Sequence, residues 1–333
     1  MDQFSAHLDR AWDLVAKGDM RGALSSAQEA KSLDPKSPEV WNLLGYVAAA
    51  EGDAEEALEH YRRAIALDEG YLEPMLNAAE VLIHPLGEYD EAIAMCDEAL
   101  EFAEAPEEIA DAMLLKVDAY LARGDAQTAT RILAEVPPGP FETPNYDVLI
   151  GRALFDVGRF EEARKHLESA LARDDRIPDA QYYLGAIEDE GGRRSHAVQR
   201  FLATRALDLA LPRPAWGVAF AEFERMLARA VEDVPELREA LAGVEVLAAE
   251  YPGVEVVADG VDPRSPMLFD GNPRRPGAPS ARIFVYQRNV ERLCHNVPSL
   301  RDELPALLIR ETDAFRRDER KDPPGSGPPK EHP

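Results

Sequence analysis

The chain has 333 residues, 45% hydrophobic and 30% charged, with a net charge of −26 at pH 7. That is long enough for two or more domains. No stretch approaches the roughly 18 apolar residues of a membrane span, and no basic-then-apolar segment opens the chain as a secretory signal would.

The acidity is uneven: residues 51–111 hold nineteen acidic side chains against Arg62 and Arg63. Nucleic acid and anionic membranes attract basic patches, so neither is an expected partner, and a neutral or basic protein is. Cys96 and Cys294 lie far apart and suggest neither a disulfide framework nor a thiolate metal site. A cytoplasmic location with both thiols reduced is expected.

A glycine followed five residues later by an alanine recurs six times: Gly18/Ala23, Gly52/Ala57, Gly87/Ala92, Gly124/Ala129, Gly158/Ala163 and Gly192/Ala197. The glycines are 34, 35, 37, 34 and 34 residues apart. A helix-turn-helix repeat needs this pattern, because glycine turns the chain and alanine lets two helices approach. The segment 38–71 shows it best, with Trp41, Leu44, Gly45, Ala57, Tyr61 and Ala64 in the spacing W-x2-L-G … A-x3-Y-x2-A. On these residues the segment resembles a tetratricopeptide repeat. The same frame runs over 4–37, 73–106, 110–143, 144–177 and 178–211, with Pro85 marking a one-residue insertion in the third repeat. Six repeats predict twelve helices and a mainly α solenoid over residues 1–211, whose stacked pairs leave a groove lined by first helices.

In that family, the second, fifth, ninth and twelfth places of each first helix face the groove. Here the resemblance assigns Trp12, Asn42, Tyr46, Asn77, Asp111 and Asp118 to it from repeats one to four. Asn145, Arg152, Asp179, Tyr182 and Asp189 follow from repeats five and six. Amides and tyrosines on a rigid wall suit an extended peptide or a helix. The cationic set with which some members clamp a chaperone's terminal carboxylate is missing, since Leu8, Leu114 and Val148 fill fifth places and Arg152 is the one cation expected in the groove.

Pro212 and Pro214 end the array. Beyond them the pattern predicts helices over about 219–231 and 235–241. Strands are predicted at Val244-Glu-Val-Leu-Ala, Val254-Glu-Val-Val-Ala and Arg282-Ile-Phe-Val-Tyr-Gln, and a loop over 262–279. A final helix is predicted over about 302–317. The order of Leu268-Phe-Asp-Gly-Asn-Pro, Ile283-Phe-Val-Tyr, Asn289-Val-Glu-Arg-Leu and a last helix resembles the bacterial metallopeptidase-like domains called minimal zincins. The resemblance implies a small α+β domain over 212–321; the tail over 322–333 is too rich in proline and glycine to pack and is expected to be disordered. In that family, His-Glu-x-x-His on the last helix holds zinc. This chain has Arg310-Glu311-Thr312-Asp313-Ala314 there. A guanidinium and a methyl offer no lone pair to a metal, so the motif is degenerate and a pseudo-peptidase without zinc is expected. Glu311 falls on an apolar stripe with Leu304, Leu307, Leu308 and Phe315 that would point it inward as a catalytic base; without a metal to serve, it is expected instead to pair with an arginine or to be partly exposed.

No glycine-rich phosphate loop or Gly-x-Ser-x-Gly elbow occurs, and neighbours such as Cys294-His295 point in different directions, so no cofactor and no hydrolase chemistry is expected. The expected function is a non-catalytic scaffold or adaptor, with the C-terminal domain as cap or second docking surface, serving for instance to regulate a signalling GTPase or kinase. The alternative is a zinc metallopeptidase with unusual ligands such as His295, Glu311 and Asp313.

Overall fold

The computed structural model describes residues 2–270 and 282–321. The chain forms two compact units. One runs to Ala215 and takes in Gly253–Pro263; the other holds Trp216–Pro252 and the described residues from Arg264 onward.

The first unit is a row of six helix hairpins. These are α1 (Gln3–Ala16) with α2 (Met20–Leu33), α3 (Pro38–Glu51) with α4 (Ala54–Leu67), and α5 (Leu72–Val81) with α6 (Tyr89–Phe102). They continue with α7 (Pro106–Ala122) and α8 (Ala126–Leu133), α9 (Asn145–Asp156) and α10 (Phe160–Arg173), and α11 (Pro178–Glu190) and α12 (Arg194–Ala210). The turns obey the sequence logic closely. All six repeat glycines have φ between +68° and +93°, a region that L side chains rarely adopt. Asp19, Asp53 and Asp125 directly follow three of them and cap the second helix through their carboxylates, each worth about 1 kcal/mol.

The alanines of the repeat pattern, Ala23, Ala57, Ala92, Ala129, Ala163 and Ala197, are all buried. Close approach also needs glycine inside some first helices. A Cβ on Gly45 would sit 2.5 Å from the Tyr61 ring, and one on Gly185 would sit 2.7 Å from Phe201. Each first helix packs on the next, α1 on α3 and onward to α9 on α11, so the core runs the length of the row.

Two repeats depart from the frame. The extra residue of the third is absorbed as a π-helical turn, Leu82–Leu86, which contains Pro85 and is closed by Glu88 N donating to Leu82 O. In the fourth, α8 has only eight residues, and the irregular segment after it folds back to bury Phe141.

Residues 254–258 correct the sequence reading. The alternating Val254-Glu-Val-Val-Ala is helix α15 (Val254–Ala258), not a strand, and it packs on α12. Val257 is fully buried with Ala197 and Phe201, Arg194 donates to the Asp259 carbonyl, and Tyr182 Oη donates to Asp262 Oδ2 at 2.9 Å. A solenoid's last repeat leaves an apolar face that must be covered. Packing against that face, which the local period does not encode, decides the conformation here. The excursion also takes residues 253–263 out of the domain drawn over 212–321.

In the second unit, α13 (Phe220–Asp233) and α14 (Pro235–Ala240) precede a sheet of β1 (Glu245–Ala249), β2 (Met267–Asp270) and β3 (Arg282–Tyr286), in the order β1-β3-β2. Strand β3 runs parallel to β1, with Val246 opposite Ile283, and antiparallel to β2, with Leu268 opposite Phe284. Helix α16 (Gln287–Glu291) follows, then α17 (Val297–Lys321), which starts earlier and ends later than predicted and contains Pro305. Strand β2 and α16 were not predicted; β2 has only four residues and lies in what read as loop. The core gathers Phe223, Leu227, Ile283, Val285, Leu300, Leu304, Leu307 and Leu308. The predicted tail, 322–333, and residues 271–281, which include half of the predicted loop, lie outside the described residues.

Candidate binding groove

The first helices stand side by side, so side chains one repeat apart meet. Trp12 and Tyr46 form an edge-on aromatic pair with ring centroids 5.7 Å apart, and Tyr46 stays 40% exposed. Asn42 is fully buried: its Nδ2 donates to the Tyr71 hydroxyl at 3.3 Å, and its Oδ1 accepts from Asn77 Nδ2 at 3.1 Å. Tyr146 Oη donates to Asp111 Oδ2 at 3.0 Å, and Arg152 Nη2 pairs with Asp118 Oδ2 at 3.0 Å.

Apart from the Asn42–Tyr71 bond, these contacts link residues 34 or 35 apart, the repeat period itself. Many of the residues assigned to the groove thus tie one repeat to the next rather than facing outward unengaged. An amide left unpaired in such a half-dry row costs about 1–3 kcal/mol, which explains why the polar side chains bond to one another. Asn145 and Asp189 are exposed, and Asp179 is half-buried. Tyr182 is engaged by Asp262 of the capping segment.

At the third, fourth and fifth repeats the row opens into a cleft of about 440 Å³, lined by His84, Asp118, Leu121, Arg152 and Asp156. Burial holds the carboxyls of Asp118 and Asp156 above their ordinary range, against the pull of Arg152. Burial likewise raises Asp111, and Tyr146 is pushed up to about 12 by burial and by the Asp111 carboxylate. The groove assignment missed His84, Leu121 and Asp156. His84 and Leu121 occupy twelfth places of the repeat frame, so the rule that found Asp189 also locates them. Asp156 lies one place beyond that position and carried no signal. Tyr71 and Tyr146, the partners of Asn42 and Asp111, were missed as well.

Other constellations fail on geometry. Ser169 Oγ donates to Asp147, not to His166, so the Ser169, His166 and Asp147 group cannot activate the hydroxyl. Cys294 is buried, its thiol pushed up to about 11 chiefly by that burial, which opposes a nucleophilic thiolate. At the degenerate motif, Arg310 bonds Glu303 at 3.1 Å, and its Nε lies 3.6 Å from Glu311. The Glu311 side chain is partly exposed, at 37%, and Thr312 takes the buried position beside it. The side chain of Ala314 lies outside the described residues. Among the described residues no three His, Cys, Asp or Glu side chains gather to hold a metal, so His295, Glu311 and Asp313 are not brought together as ligands.

Family comparison supports the repeat assignment of the first unit. Tetratricopeptide-repeat models match residues 8–71, 48–108 and 148–210, and a model described as anaphase-promoting complex, cyclosome, subunit 3 matches 86–170. These matches end at residue 210. The fold resembles that of PilF from Pseudomonas aeruginosa, with 18% identity over 62% of this chain and 91% of that one, at a TM-score of 0.51. PilW, a type IV pilus biogenesis factor, matches with 18% identity over 72% of this chain and 98% of that one, at 0.49. A tetratricopeptide-repeat protein of Thermus thermophilus matches with 19% identity over 55% of this chain and 98% of that one, at 0.46. Comparison with curated proteins finds no match. The first unit is a tetratricopeptide-repeat solenoid, the architecture of a protein-interaction scaffold. Among the described residues no helix is long and apolar enough to cross a membrane.

Proposed function

We propose that the protein is a non-catalytic adaptor whose row of first helices binds a segment of a neutral or basic partner protein. The observation that carries this is the row itself: an exposed aromatic at Tyr46, a rigid wall tied between repeats through Asn42 and Asn77, and an open cleft at Asp118 and Arg152, all on consecutive repeats. Aromatic faces cover apolar side chains, and a rigid repeat surface lowers the entropy cost of binding. The reading takes the protein to act in the cytoplasm and to hold no cofactor. Its second unit is a peptidase-like fold whose chemistry has lapsed, since Arg310 and Ala314 stand where zinc-binding histidines would.

The test is affinity capture with the full chain, crosslinking and mass spectrometry, comparing wild type with Tyr46→Ala and Asn145→Ala combined. Both side chains are exposed, so the fold survives. Asn42 is unsuitable because the residue is fully buried and its loss breaks two hydrogen bonds between repeats. Loss of a partner crosslinked to the first helices supports the proposal. Partner recovery unchanged, with crosslinks only in the second unit, refutes it.

A further inference from the structure

We infer that the cleft between the third, fourth and fifth repeats is a receptor for a cationic side chain, arginine or lysine, carried by the partner segment. The inference rests on the groove-binding proposal and adds the chemistry of one position in it. Three first-helix strips meet there: His84 from the π-helical turn, Asp118 and Leu121 from α7, and Arg152 and Asp156 from α9. The π turn exists because the third repeat carries one residue more than its neighbours, and such insertions recur at functional sites.

The sign of the ligand follows from how charge is distributed. Arg152 is already engaged by Asp118 at 3.0 Å, so its charge is largely committed within the wall. Asp156, one helical turn beyond Arg152, lines the same cleft, and the Arg152 guanidinium acts on it through charge alone. An incoming anion would meet two carboxylates and one occupied guanidinium. An incoming cation would instead meet Asp156, reach the second carboxylate at Asp118, and find an imidazole at His84. Leu121 gives the apolar wall against which the methylene stem of a lysine or arginine lies. The wider surface has the same sign, since residues 51–111 hold nineteen acids and two arginines and would steer a basic segment in.

The experiment uses the full chain labelled at leucine methyls, with Leu121 as the reporter. It is titrated with short acetylated, amidated alanine–serine peptides carrying one arginine, lysine, citrulline or glutamate. Arginine and lysine peptides are expected to shift the Leu121 methyl and to bind about tenfold more tightly than citrulline, the neutral isostere of arginine, as charge-assisted hydrogen bonds imply. Asp156→Asn, a change at the cleft's lining that keeps the side chain's shape, should remove most of that difference. Equal binding of citrulline, preference for glutamate, an unshifted Leu121, or an unaffected Asp156→Asn variant would each overturn the inference. A partner lost with Tyr46→Ala but kept with Asp156→Asn overturns the cation receptor and leaves the groove proposal standing; one kept in both variants counts against the proposal itself.

Discussion

The two units of this chain differ in how their sequences encode them. In the first, one local rule is written six times, and every repetition of glycine and small alanine, three with a capping aspartate, acts within about 35 residues. In the second, a three-stranded sheet joins β1 to β3 across an intervening stretch that includes an excursion to the other unit. Repetition makes a fold legible and also divides its stability into local contributions. A sheet with a single shared core is harder to read and loses stability as one body.

That contrast can be tested by four substitutions. The largest effect is expected for Leu304→Ala, which empties a fully buried site in the second core and should cost about 2–5 kcal/mol. Hydrogen exchange should then lose protection throughout 216–252 and 282–313, while α1 to α10 keep theirs. A loss spread evenly over both units would deny their separate encoding. Next is Gly45→Ala. Its new methyl would meet a buried ring at 2.5 Å, and overpacking of about 1–3 kcal/mol outweighs the gain of about 1 kcal/mol in helix propensity. Protection should fall mainly in α3, α4 and their neighbours.

The smallest effect concerns pH. Burial raises the folded-state pKa of Asp156 above its unfolded value, so the native state holds its proton more tightly. Ionisation at neutral pH is therefore destabilising, and the group's contribution improves as pH falls into the carboxylate range. Asp156→Asn should raise stability near pH 7 by about a few tenths of a kcal/mol, after allowance for solvent screening, and by nothing at low pH. Glu188 behaves oppositely: burial alone would raise it, but hydrogen bonds from Arg193 and Arg164 outweigh that and leave it lowered. Its stabilisation is present above the unfolded pKa and is lost as pH falls through the folded one. Denaturant midpoints at pH 4 and pH 7 for the two single variants Asp156→Asn and Glu188→Gln separate the two signs.

Legibility follows the same division. The six turns could be read from glycine alone because positive φ is a property of one residue. The repeating frame placed Asp118 and Arg152 in one row, and His84 and Leu121 lay in that frame unclaimed. What could not be read depended on distant contacts. Val254-Glu-Val-Val-Ala has the period of a strand, yet Val257 seats against Phe201 and the segment winds into a helix. Glu311 fell on an apolar stripe, yet its helix presents Thr312 to the core. Asn42 and Asp111 looked like ligands for a partner, and the structure spends their hydrogen bonds between repeats.

The central claim is that the repeat row carries the function. Hydrogen exchange of the full chain, with and without its captured partner, tests it most directly. The account predicts added protection in α3, α5, α7 and α9, with Tyr46→Ala abolishing it. Protection confined to residues 216–252 and 282–321, unaffected by that substitution, would contradict it.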